Sequence, residues 1–153
     1  MSAPQSLPAW LYTDQRFFEL EREKVFAQAW HIVGHINDVP NTGDYLTLDV
    51  LGERVVTVRG EDGQVRSFHN VCRHRAGKIA TEWRGSCGHR LVCPYHAWSY
   101  KLDGGFAGAP KWQGFDSLDP NTLALKPVDQ EIAFGFIFIR FAPGLPSVAD
   151  MMA

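Results

Sequence analysis

Four residues constrain this chain more than any other feature: Cys72 and His74 in Asn70-Val-Cys72-Arg-His74-Arg75, and Cys93 and His96 in Cys93-Pro-Tyr-His96-Ala-Trp98. Each pair follows a segment that reads as a strand, where a hairpin turn can aim two side chains at one point. Two such loops facing each other would present two thiolates and two imidazoles. The 14 glycines, 9 prolines and 10 phenylalanines point to a turn-rich, β-rich domain rather than a helical bundle around these loops. Two chemistries use this donor set. A [2Fe-2S] centre can take two cysteines on one iron and two histidines on the other. A closed tetrahedral zinc site also takes two of each, although such sites usually open with two closely spaced cysteines.

The remaining candidates read as structural. Cys87-Gly-His89 repeats the Cys-x-His spacing between Gly85 and Gly88, but it lacks the Pro-Tyr and Trp framing. Cys87 is therefore expected to be a free thiol in a connecting turn, and His89 a residue at a strand entry. His31 and His35 flank Ile-Val-Gly, with no acidic partner closer than Asp38. Arg73, Arg75 and Lys78 form a candidate basic rim for a docking partner. The three cysteines read as reduced thiols serving a metal rather than as disulfides, in keeping with a cytoplasmic chain.

The surrounding segments fit a mainly β domain. From Thr13, a plausible N-cap, to Trp30 the chain predicts one amphipathic helix, with Phe17, Leu20, Phe26 and Trp30 near helical spacing. Short β-branched or aromatic segments follow: 30–34, 45–50, 54–58, 65–69, 90–92 and 97–101. Leu51-Gly52-Glu53, Glu61-Asp62-Gly63-Gln64 and Asp103-Gly104-Gly105 supply turns. A Gly-, Pro- and Asp-rich loop is expected from Phe106 to about Pro120, and Ile132 to Phe141 reads as one buried strand. That apolar run falls far short of the roughly 20 residues of a membrane helix. Residues 1–35 thus form a helical lead-in with a loose start around Pro4 and Pro8, 36–142 the domain, and 143–153 the start of a linker. With 153 residues there is room for one domain and its appendage, large enough for a core without disulfides. A net charge of -2 argues against a nucleic-acid partner.

Cys-Arg-His-Arg followed by Cys-Pro-Tyr-His-x-Trp and Tyr100-x-Leu-Asp-Gly resembles the Rieske family. The resemblance implies one [2Fe-2S] cluster, with Cys72 and Cys93 on one iron and His74 and His96 on the other. It also implies a Rieske-type antiparallel β-sheet domain with two cluster-binding hairpin loops. Around the cluster, Tyr100 is a candidate hydroxyl donor to a ligand sulfur and Tyr95 a weaker one. Trp98 would exclude water, and Arg75 would lie at the rim. Neutral imidazoles leave such a cluster less negative than an all-thiolate one, which makes its reduction easier.

Within the family, the extra cysteines of respiratory-chain members are missing: Gly77 and Tyr95 occupy the candidate positions. The leading helix, Gly43-Asp44-Tyr45, Gly108-Ala-Pro110 and Gly114-Phe-Asp116 resemble the N-terminal part of ring-hydroxylating oxygenase α subunits, choline-monooxygenase-like members included. That resemblance implies a reductase or ferredoxin as electron donor and a mononuclear iron catalytic domain as acceptor, often on a neighbouring subunit of a homotrimer. It also implies a role in aromatic-ring mono- or dioxygenation. No two-histidine, one-carboxylate triad for that iron is visible, so the expectation is the Rieske domain alone, an electron carrier with no oxygen-activating centre. The rivals are a stand-alone Rieske ferredoxin-like carrier and a redox-inert zinc module.

Overall fold

The computed structural model describes residues 6–114 and 117–153. Pro4, Phe115 and Asp116, which figured in the expectations above, lie outside them. The described residues build three antiparallel sheets. The middle one orders β4 (Val65–His69), β3 (Glu53–Arg59), β2 (Asp44–Val50) and β5 (Arg84–Ser86). A second orders β1 (His31–His35), β10 (Phe136–Arg140) and β9 (Asp129–Ala133). The third is small: β6 (Leu91–Val92), β7 (Ser99–Tyr100) and β8 (Phe106–Gly108).

Strand β3 explains the layering. Successive side chains leave a strand on opposite faces, and Val55, Val56, Thr57 and Val58 are all fully buried. Val55 packs with Val128 and Ile139 under the β1–β10–β9 sheet. Val56 and Val58 pack on the other side with Phe68, Leu91, Tyr100 and both Cys72 and Cys93. The candidate ligands therefore stand on the main core.

Several expectations are corrected. The leading helix is shorter and starts one residue later. Asp14, not Thr13, is the N-cap, its carboxylate accepting from Phe17 N–H at 2.8 Å. Regular helix α1 spans Gln15–Glu21, then widens into a π turn over Arg22–Phe26. No residue of either piece is fully buried, and Phe18, Leu20 and Phe26 stay exposed, so little apolar burial carries the helix on to Trp30. The apolar run Ile132–Phe141 is not one strand but a hairpin, β9 turning into β10 at Phe134-Gly135. Both turn residues have positive φ, 53° and 82°, the conformation that matches the twist of a two-residue hairpin. Leu51-Gly52 turns β2 into β3 in the same way, with φ 58° and 83°. Phe106–Gly108, expected in a loop, forms β8 against β7, and polar Arg84–Ser86 forms the unexpected β5 against β2.

The segment after Pro143 packs on the second sheet. Helix α2 (Val148–Met151) is capped by Ser147, and the Glu131 carboxylate accepts from the N–H groups of Val148 and Ala149 at 2.9 and 3.1 Å. Val148 is buried with Ala133 and Phe138. Trp30 Nε1 donates to the Pro146 carbonyl at 2.9 Å, and the Arg140 guanidinium lies over the Trp30 ring.

Candidate metal centre

The two ligand loops close with one backbone pattern. Cys72 N–H donates to the Gly77 carbonyl at 2.8 Å, and Ala76 N–H returns to the Cys72 carbonyl at 2.9 Å. Cys93 N–H donates to the Trp98 carbonyl at 2.8 Å, and Ala97 N–H returns to the Cys93 carbonyl at 3.0 Å. Each turn ends on an alanine at positive φ, 56° for Ala76 and 55° for Ala97. The left-handed region is uncommon for alanine, so nothing in the sequence marks these positions.

Like meets like across the loops. Cys72 and Cys93 are each 3% exposed and share one core cluster. Burial pushes the Cys93 thiol up, and the facing Cys72 thiol adds to the shift. A Cβ placed on Gly77 would lie 3.7 Å from Cys93 Sγ, so the first loop closes beside the second loop's sulfur. On the outer side the rings of His74 and His96 stand edge to face with centroids 4.8 Å apart. His74 is half-buried and His96 exposed. Burial, then the neighbouring His96 and Arg75, hold His74 below its ordinary value, which favours the neutral imidazole that a metal requires.

The expected neighbours fall around this set. Tyr100 is fully buried, and its hydroxyl lies 3.3 Å from Cys72 Sγ while accepting from Arg73 N–H at 2.8 Å. With that acceptor position taken, the hydroxyl proton is free to point at sulfur. Burial, then the Cys72 thiol, push the Tyr100 hydroxyl well above its ordinary range, so it keeps that proton. Trp98 stacks parallel to His74 at 4.8 Å and packs against Phe106 and Trp112. The exposed Tyr95 ring touches that of His96 at 3.9 Å, and Arg75 is exposed beside His74.

Other candidates sit elsewhere. The Cys87 thiol donates to the Gly43 carbonyl at 3.2 Å, and His89 faces Glu61 at 3.1 Å. His31 bonds the Phe26 carbonyl, and His35 accepts from Asn37 N–H. Of the basic rim, Lys78 is paired with Asp49 at 3.0 Å. Sequence reasoning gave no role to Asn70, which is fully buried two residues before Cys72.

Among the described residues, no three Cys, His, Asp or Glu side chains converge as ligands of a single ion. A closed zinc site needs four ligands converging on one point. A mixed two-iron cluster asks for a thiol pair and an imidazole pair, two per iron. The donor set present fits the cluster.

A model of the Rieske [2Fe-2S] domain matches residues 29–119. The chain is 41% identical over 147 residues to the carnitine monooxygenase oxygenase subunit of Escherichia coli K12, covering 96% of this chain and 39% of that protein. It is 40% identical over 148 residues to the glycine betaine monooxygenase oxygenase subunit of Pseudomonas aeruginosa PAO1, covering 97% and 34%. The chain thus spans well under half the length of these relatives. Its fold superposes on a quaternary ammonium Rieske monooxygenase with a TM-score of 0.86 at 35% identity, covering 96% of this chain and 43% of that one. It also superposes on naphthalene 1,2-dioxygenase with 0.84 at 31% identity, covering 93% and 32%. With the thiol and imidazole pairs in place and more than half of its length matched, the chain belongs to the Rieske [2Fe-2S] domain family, whose members hold one Rieske-type two-iron cluster.

Proposed function

We propose that this chain passes single electrons through its Rieske cluster, with Cys72 and Cys93 as ligands of one iron and His74 and His96 as ligands of the other. The observation that carries this reading is the pairing of thiol with thiol and of imidazole with imidazole, the rings 4.8 Å apart. Bound there, the cluster supplies a one-electron couple at a higher potential than an all-thiolate centre. The protein's part is positional. Cys72 and Cys93, both buried, keep the sulfur end dry, and His96 exposes the edge through which an electron crosses to a partner. Tyr100 holds its hydroxyl proton toward Cys72 Sγ, Trp98 covers the His74 ring, and Tyr95 and Arg75 border the exposed edge.

In this reading residues 36–142 are the electron-transfer domain, led in by 1–35 and followed by 143–153 running toward a catalytic domain. It serves an oxygenase α subunit in the cytoplasm, a setting in which Cys72, Cys87 and Cys93 stay thiols. A reductase or ferredoxin supplies the electron, and a mononuclear iron centre of a homotrimeric assembly receives it. For one quaternary ammonium Rieske monooxygenase, carnitine oxidation and inter-subunit electron transfer are reported. The higher identity to carnitine and glycine betaine monooxygenase subunits than to naphthalene dioxygenase favours a quaternary ammonium substrate over an aromatic ring.

Protein purified without oxygen should be red-brown and gain a Rieske EPR signal on dithionite reduction. A colourless, zinc-containing protein would sink the proposal. His96→Ala should abolish the signal, and Cys87→Ser should leave it intact; bleaching by Cys87→Ser would mean a different ligand set. In the intact α subunit with its reductase, dioxygen uptake should follow carnitine or glycine betaine, whereas uptake with naphthalene alone would reverse the substrate assignment.

A further inference from the structure

We infer that Asn70 is the positioning residue of the first ligand loop, its side chain standing in for the β-ladder that holds the second. The inference rests on the ligand set proposed above. The second loop leaves β6 and returns into β7, so its ends are tied by the Leu91–Tyr100 and Val92–Ser99 pairs. The first leaves β4 and returns through residues 77–83, which form no strand. The Cys72–Gly77 bonds close the turn itself, and Thr47 of β2 holds the Glu82 and Trp83 carbonyls, but the stems between them form no ladder. Asn70 closes them. Its Oδ1 accepts from Ile79 N–H at 3.0 Å and Ala80 N–H at 2.9 Å, and its Nδ2 donates to the Ala80 carbonyl at 2.7 Å. Its own N–H is anchored on the Arg54 carbonyl of β3 at 2.8 Å. One buried amide thus makes the donor-and-acceptor contacts of a strand rung, fixed to the central sheet and lying two residues from Cys72. Isoleucine 79 and Ala80 enter the same core as both cysteines, so the closure also sets where the thiols meet.

The test uses cluster-loaded protein and two readouts: hydrogen exchange in peptides spanning 76–82 and 93–100, and the rate of bleaching by an iron chelator. Asn70→Ala leaves two N–H groups and a carbonyl unpaired. Asn70→Asp keeps the acceptor oxygen and, as the neutral acid that burial against the Ala80 carbonyl favours, an O–H in place of the amide donor, so it serves as the readable variant if the alanine form does not fold. Exchange across 76–82 should rise about 100-fold in Asn70→Ala and about tenfold in Asn70→Asp. Bleaching should follow the same order, with 93–100 unchanged. Ile139→Ala, in the sheet that carries neither loop, provides the comparison for general destabilisation. Equal loosening of both loops, or bleaching no faster than in Ile139→Ala, overturns the positioning role. If the unaltered chain holds no cluster, it is the ligand assignment that fails instead.

Discussion

At Tyr100, one hydroxyl makes two bonds whose directions are set by chemistry. Arg73 N–H can only donate, so the hydroxyl accepts it at 2.8 Å, and a cluster-bound Cys72 thiolate, which has no proton, would accept from the hydroxyl across 3.3 Å. Reduction of a bound cluster would add one negative charge, and a Cys72 sulfur carrying part of it would be a stronger acceptor. The O–H···S bond then stabilises the reduced state more than the oxidised one. Tyr100→Phe should lower the reduction potential by about 40 mV, from a bond-strength difference of about 1 kcal/mol and 59 mV per tenfold for one electron. An EPR-monitored redox titration measures it; an unchanged potential would mean that the bond does not strengthen on reduction. Tyr100 was legible in the sequence because a tyrosine four residues past the second histidine resembles the one that donates to a ligand sulfur in some Rieske relatives. Asn70 was not, because an amide two residues before a ligand shows no partner until the chain folds. Ala76 and Ala97 were invisible for another reason: their part is played by backbone torsion, on which a methyl side chain gives no hint.

Among the elements, the strands that alternate β-branched residues, β2 to β4, lie within a residue of where the pattern puts them. The hairpin within 129–140 does not announce itself, since the run from Ile132 to Ile139 is apolar straight through the Phe134-Gly135 turn and the usual polar turn residues are absent. Gly135 is the residue that permits it. Its φ is 82°, and a Cβ there would fall 2.2 Å from His35 Nε2 on β1. Gly52 occupies the same place in the β2–β3 turn at φ 83°, with nothing within 4 Å of a Cβ. Gly52→Ala should therefore cost only backbone strain, about 1 kcal/mol, and Gly135→Ala that strain plus the collision, about 2–3 kcal/mol. Urea unfolding of the two variants separates the terms. Equal losses would mean that His35 moves aside at no cost. The helix shows the converse limit: Thr13 and the charged run put its start within one residue, but its length depended on burial that Phe18, Leu20 and Phe26 do not find among the described residues.

On the scale of the molecule, the core is divided so that the cluster belongs to only one part. Cys72 and Cys93 sit with Val56, Val58, Leu91 and Tyr100 on one side of the central sheet. The core groups on the other side, around Val39, Leu46 and Ile137 and around Val55, Val128 and Ile139, contain no candidate ligand. Metal sites stabilise the fold that binds them, because the unfolded chain offers no preformed site. Here that stabilisation should be local, since strand β3 separates the two sides. Stripping the cluster anaerobically with a chelator should lower the melting temperature. It should also raise hydrogen exchange across residues 70–80 and 91–108, where the two loops and the short sheet of β6, β7 and β8 depend on it. Protection in β1, β9 and β10 should survive, held by the Ile137 and Ile139 packing and by the Glu131 cap on α2. If β10 loses protection together with the loops, the two sides fold as one unit, and the cluster then stabilises the whole chain rather than its own layer.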